Sequence, residues 1–263
     1  MVNNSYLCSD FLKTKDMKRT FLWLLATILF CGYANSQEKE DVVEPYFSIT
    51  EMPDLLKWLP APPDTLSEEF AHDIMRYMWG KTQRLDPERA AIAVRDAVYG
   101  VDCIMREFSE PFGLQMSKED TPEIYKLLRD ASETCDYICI EPKKYYMRKR
   151  PFMRMKEQSL TPDDEEALSK NGSYPSGHTI LGWSCALLLS EINPERADTL
   201  LARGMMYGDS RVIVGAHWQS DVDAGRLAAS AAYAKLHTSK RFLKQLAKAQ
   251  AEFEKKKKKK DAK

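Results

Sequence analysis

The chain has 263 residues, enough for one large domain or two small ones with a sizeable core. Its 39 basic and 39 acidic residues balance, which excludes a protein drawn to nucleic acid by overall charge. The hydrophobic share of 44% is ordinary for a globular protein.

In chain order, the N-terminus is the first informative stretch. Lys18 and Arg19 precede an apolar run from Phe21 to Phe30 broken only by Thr27. Ala34-Asn35-Ser36 then puts small residues at the −3 and −1 places of a cut before Gln37. This is the layout of a secretory signal peptide over residues 1–36, and the run is short for a bilayer span. Asp10 and Asp16 are unlike a signal's basic start, so Met17 is a second candidate start. The expected location is periplasmic or secreted. Four basic and two acidic residues leave with the signal, so the mature chain carries about −2. Four cysteines remain, Cys103, Cys135, Cys139 and Cys185. An oxidising compartment permits disulfides, but a domain this long needs none, and no histidine near Cys135 and Cys139 suggests zinc. All four read as small buried hydrophobes.

Residues 37–64 are charged and proline-rich, end in Leu59-Pro60-Ala61-Pro62-Pro63, and read as an extended arm. From Thr65 the pattern is helical, and 65–247 is read as one helical domain. Asp86-Pro87-Glu88 supplies an N-cap, a proline at N1 and a first-turn acid. Ile92, Val94, Val98, Val101, Ile104 and Met105 follow at helical spacing. Thr121-Pro122-Glu123 and Asn193-Pro194-Glu195 repeat the start signal. One helix is expected after Pro175, through Ile180 to Ile192, and another from about His217 through Tyr233. Met75, Met78, Trp79, Met205 and Met206 are read as core rather than cofactor contacts. Residues 248–263 form a lysine-rich tail, in which the adjacent like charges of Lys255 to Lys260 predict a solvated, frayed end. No internal repeat and no alternating strand pattern is found, and no apolar run after residue 36 is long enough to span a membrane. The expected fold is all-α: a compact single-domain bundle of about seven or eight helices.

Three fragments carry chemistry. Pro175-Ser176-Gly177-His178 stands where a loop enters a helix, whose first N–H groups and dipole make an anion site. Gly177 lets the backbone approach closely, Ser176 adds a hydroxyl, and a bound dianion favours protonated His178. Downstream, Ser210-Arg211 is followed by His217 and Asp221. On one helix face, four residues apart, Asp221 accepts from Nδ1–H of His217 and leaves Nε2 exposed and nucleophilic. A surface ion pair is the plain alternative, but it leaves Arg211 unexplained. Lys143 and Arg150-Pro151 sit in a basic run with Lys144, Arg148 and Lys149; with Arg211 they offer three cationic groups to phosphate oxygens.

The series Lys143-x6-Arg150-Pro151, Pro175-Ser176-Gly177-His178, and Ser210-Arg211-x5-His217-x3-Asp221 resembles the tripartite signature of the phosphatidic acid phosphatase type 2/haloperoxidase superfamily. Residues 172–179 and 207–226 look like the signatures of bacterial class A non-specific acid phosphatases, and the resemblance extends over roughly residues 46–247. It implies an acid phosphatase acting on small phosphate monoesters through a phosphohistidine on His217, with some phosphate passed to alcohols. Asp221 would orient His217, and His178 would protonate the leaving group. Lys143, Arg150, Arg211, Ser176 and Gly177 would hold the phosphate, with no metal or other cofactor. An acidic optimum follows if His178 must be charged while His217 is neutral. The alternatives are a vanadium-dependent haloperoxidase using the same residues and a non-catalytic phosphate-binding protein; the His217–Asp221 pair argues against the latter. One departure is Pro111 in Phe108-Ser109-Glu110-Pro111-Phe112-Gly113, where the family commonly has alanine; the proline is expected to stiffen the pocket mouth and alter substrate preference. Neither a nucleic-acid partner nor a membrane span is expected, and a homo-oligomer is left open.

Overall fold

The start signals act locally as their chemistry dictates. Asp86 accepts from the N–H groups of Glu88 and Arg89, and Ser176 accepts from Thr179 N–H. The computed structural model describes residues 42–262, so the predicted signal peptide and the first residues of the arm lie outside the described residues. After the arm the chain forms α1 (Glu68–Gln83), α2 (Pro87–Arg95), α3 (Val101–Phe112), α4 (Pro122–Asp136), α5 (Ile140–Tyr146), α6 (Pro151–Met155), α7 (Glu165–Ser169), α8 (Gly177–Ile192), α9 (Ala197–Val214), α10 (Gln219–Leu236) and α11 (Lys240–Asp261). Eight of these have nine residues or more, in agreement with the expected number; α5, α6 and α7 are short additions. No strand occurs among the described residues. From Val43 onward the chain is one compact unit.

Helix α8 is the axis of the fold. It is apolar on most of its circumference, burying Ile180, Leu181, Cys185, Ala186, Leu188, Leu189 and Ile192, as a largely enclosed helix does. It is packed by α4, α9, α10 and α11. Close approach needs small residues. A Cβ on Gly182 would stand 2.3 Å from the Tyr207 ring, and one on Gly225 would stand 2.9 Å from the Ser176 carbonyl oxygen. The four cysteines are buried and unbridged.

Residues 43–64 run over this core with two single 3-10 turns, Ile49–Glu51 and Leu55–Lys57. Tyr46, Met52, Leu55 and Leu59 are buried in it. Tyr174 Oη donates to the Pro60 carbonyl, linking this segment to the loop before α8.

Three expectations are corrected. The apolar spacing from Ile92 to Met105 is broken between α2 and α3 at Asp96–Gly100, because the buried Asp96 carboxylate is captured by Arg203 Nη2 at 2.5 Å and Ser210 Oγ at 2.7 Å. Gly100, at φ +133°, makes the bend. Met75 (62% exposed), Met78 (50%) and Met205 (42%) are surface residues rather than core. Helix α1 buries the opposite stripe, Phe70, Asp73, Tyr77 and Gly80. Finally, α11 continues unbroken through Lys255–Lys260 to Asp261. Phe242, Leu246, Ala249 and Phe253 form one buried stripe along it, with Phe253 against Phe112 at 5.0 Å. Near its end, Lys257 pairs with Glu195 at 2.7 Å and Lys260 Nζ donates to Gly113 O.

Candidate active site

The loop before α8 and the start of α10 are tied together: Ser176 N–H donates to the Asp221 carbonyl at 2.9 Å. That amide, expected at the anion, is therefore used internally, and the first helical N–H groups belong to Gly177 and His178. The Ser176 hydroxyl oxygen accepts from Thr179 N–H and from Thr179 Oγ1 at 3.0 Å, which leaves its own proton to donate.

His217 and Asp221 do meet, but not along a helix face. Helix α10 starts at Gln219, so His217 precedes it. Asp221, in the first turn, folds back so that Oδ2 accepts from Trp218 N–H at 2.9 Å and from His217 Nδ1 at 3.3 Å. On the far side of the ring, Arg150 Nη1 lies 2.9 Å from His217 Nε2. A guanidinium can only donate, so Nε2 accepts and the ring proton sits on Nδ1, facing Asp221. Nε2 is thus unprotonated as expected, although His217 is buried rather than exposed. Burial first, then Arg150, Lys143 and Arg211, holds its pKa well below the usual histidine value.

The three cations are buried. Lys143 Nζ donates to the Gly172 carbonyl at 2.9 Å. Arg150 donates to the carbonyls of Leu168 at 2.8 Å and Ala216 at 3.1 Å. Arg211 differs: Nε, Nη1 and Nη2 are all buried and none has a hydrogen-bond partner among the described residues. Burial pushes both arginines down to about 10, so they remain cations at neutral pH. A buried guanidinium without acceptors is costly unless an anion meets it.

His178 Nε2 lies 2.9 Å from the Ala97 carbonyl, which can only accept, so Nε2 carries a proton. Burial and then Arg211 push its pKa well below the ordinary value, with the Ala97 carbonyl working the other way. The Tyr99 ring stands edge-on to it at 4.9 Å. His178 and Arg211 line a cavity of about 550 Å³. Its wall is formed by Val94, Val98, Tyr99, Leu160, Asp164 and Leu168, among others. Ala97, Val98 and Tyr99 of this wall come from the α2–α3 break, which the apolar spacing conceals, and Leu160, Asp164 and Leu168 from the segment around α7. Unread in the sequence were the acceptors of Arg148, namely Asp73 at 2.7 Å and Asp221 at 2.5 Å. Lys144 and Lys149 of the same basic run are exposed. Pro111 is not at the pocket mouth. It is buried in the last turn of α3, its carbonyl accepts from Arg196 Nε, and it does not line the cavity.

An all-helical bundle that gathers three cations, two histidines and a carboxylate around a helix start is the architecture of a phosphate-handling enzyme class, and the family model of the PAP2 superfamily matches residues 132–242. A non-specific acid phosphatase of Providencia stuartii is 46% identical over 214 residues, covering 81% of this chain and 86% of that protein. A non-specific acid phosphatase of Salmonella typhimurium is 40% identical over 238 residues, 90% of this chain and 93% of the relative. An acid phosphatase of Zymomonas mobilis is 37% identical over 204 residues, 77% and 76% of the two chains. The chain belongs to the non-specific acid phosphatase family of the PAP2 superfamily.

Proposed function

We propose that this protein is an acid phosphatase that hydrolyses small phosphate monoesters through a phosphohistidine on His217. The observation that carries the reading is the fully buried, unpartnered guanidinium of Arg211, in a site whose other arginine touches an unprotonated histidine nitrogen. Arg211, Arg150 and Lys143 hold the phosphate, together with the Ser176 hydroxyl and the N–H groups that open α8 at Gly177. His217 Nε2 attacks phosphorus as the ester P–O bond breaks, and Asp221 holds the Nδ1–H. His178, fixed through Nε2–H to Ala97, takes up a second proton at Nδ1 once the phosphate dianion is bound, and gives that proton to the departing alkoxide. It then takes a proton from the water that attacks phosphorus, the P–N bond breaks, and His217 is restored. The cationic side chains supply the charge stabilisation, so the reaction needs no metal.

Two in-line displacements retain configuration at phosphorus, and one inverts it. Transfer from a chiral phosphate ester to an added alcohol is expected with net retention, with His217→Ala inactive in transfer and hydrolysis and excess chelator without effect. Net inversion would refute the covalent intermediate. The signal-like stretch over residues 1–36 supports export, to a periplasm or beyond. Mass spectrometry of the native protein should find an N-terminus near Gln37; an intact Met1 or Met17 would overturn this part of the reading.

A further inference from the structure

Asp221 has more partners than pairing with His217 requires. Its Oδ2 faces Trp218 N–H and, at 3.3 Å, His217 Nδ1, while its Oδ1 takes the much shorter 2.5 Å contact from Arg148 Nη1. Arg148 is itself held from behind. Its Nη2 donates to Asp73 Oδ2 at 2.7 Å, and its Nη1 also reaches Ser220 Oγ at 2.8 Å. Asp73 in turn accepts from Ser220 N–H at 2.8 Å and Ser220 Oγ at 2.6 Å. Both carboxylates are fully buried and the Arg148 side chain is only 9% exposed, so these charges act on one another with little screening.

Lys143, Arg150 and Arg211 make no hydrogen bond to Asp221 among the described residues, whereas Arg148 joins two carboxylates, Asp73 and Asp221, with Ser220 Oγ between them. A carboxylate meant to draw a positive charge onto the imidazole with full strength would not also be given to an arginine at shorter range. We propose that Arg148, anchored by Asp73 and Ser220, is a positioning residue that divides Asp221 between itself and His217, and so limits the negative charge that His217 feels. This rests on His217 being the nucleophile. The consequence is chemical: the imidazole stays neutral, and its Nε2 lone pair stays available, in more acidic solution than a fully paired His–Asp couple would allow. The other charged and titratable groups around the pair are Arg150, Lys143, Arg211 and His178 on the His217 side, and Tyr174 on the Asp221 side.

The test is a titration of His217 in the full chain by ¹⁵N-histidine NMR, with the resonance assigned by its absence in His217→Ala. The acidic limb of kcat/KM for p-nitrophenyl phosphate is followed in parallel. In Arg148→Met the His217 midpoint and the limb should both rise by about one unit, a tenfold change in proton affinity. Arg148→Lys should restore most of the wild-type midpoint. Asp73→Asn, which frees Arg148 for Asp221, should move both the other way. On an Asp221→Asn background the Arg148→Met shift should collapse, because the effect runs through Asp221. Unmoved midpoints despite lost activity, or an equal Arg148→Met shift with and without Asp221, would overturn the inference. Should Arg148→Met not fold, Asp73→Asn and Arg148→Lys decide it alone. If His217→Ala kept its turnover, the nucleophile reading would fall and this inference with it; if that variant is dead and the midpoints do not move, only this inference falls.

Discussion

The contact between Arg150 Nη1 and His217 Nε2 assigns the proton of the His217 imidazole to Nδ1, because a guanidinium has nothing to accept with. His178 is assigned in the same way by the Ala97 carbonyl. The two rings thus carry their protons on different nitrogens, Nδ1 in His217 and Nε2 in His178, which leaves Nε2 of His217 with a free lone pair and Nδ1 of His178 free to take up the second proton that the proposed donor role needs. A residue-level prediction follows for His178→Ala. Loss of a general acid costs typically about 10² to 10⁴ in rate, and least where the leaving group needs no proton. Turnover of an alkyl phosphate should therefore fall much further than turnover of nitrophenyl phosphate. An equal loss for both substrates, measured as kcat/KM, would rule out the proton-donor role.

At the scale of elements, the site is made where the N-termini of α8 and α10 meet, and Gly225 sets their spacing. A Cβ at this position would press on the Ser176 carbonyl at 2.9 Å, and backbone yields less readily than a side chain. Gly225→Ala should lower stability by about 1–3 kcal/mol, the usual cost of overpacking. It should also lower kcat/KM by tenfold or more, since sub-ångström displacement of a binding loop disturbs in-line geometry. Thermal melts together with kinetics check both effects; a variant destabilised to this degree but fully active would show that the two helix starts are not coupled. Helix α11 illustrates a different balance. Its lysine run repels itself, yet burial of Phe253 against Phe112 and the Lys257–Glu195 pair hold the last turns helical.

Across the whole molecule, burial of two histidines in a cationic site couples stability to pH. Both have folded pKa values below the unfolded value of about 6.5. Below that pH the unfolded chain binds protons that the folded chain refuses, so stability falls as pH drops through about 6.5 and keeps falling until the folded values are reached. A bound dianion offsets Arg211 and Arg150 and lets His178 take up its proton. Sulfate, which remains a dianion throughout, should therefore raise Tm more at about pH 5 than at about pH 7.5. The increment should be small in Arg211→Met. A sulfate effect independent of pH, or largest at high pH, would contradict the linkage.

Whatever depended on neighbours close in sequence was legible without coordinates. Ser176-Gly177-His178 before an apolar run caps and starts a helix, because the interacting groups are three residues apart. The His217–Asp221 pairing was legible too, though its form was not: the carboxylate is also bonded to Trp218 N–H, and that competition places His217 before the helix instead of on it. Tertiary packing alone decided the rest. Ala97 reaches His178 across 81 positions, and Arg148 reaches Asp73 across 75, and neither spacing has a period to betray it. Buried groups take whichever partner the fold brings within hydrogen-bond distance, because an unpaired buried charge costs more than any local preference provides. For that reason a basic run that reads as one solvated stretch separates into two buried cations, Lys143 and Arg150, an arginine turned to carboxylates, Arg148, and two exposed lysines, Lys144 and Lys149.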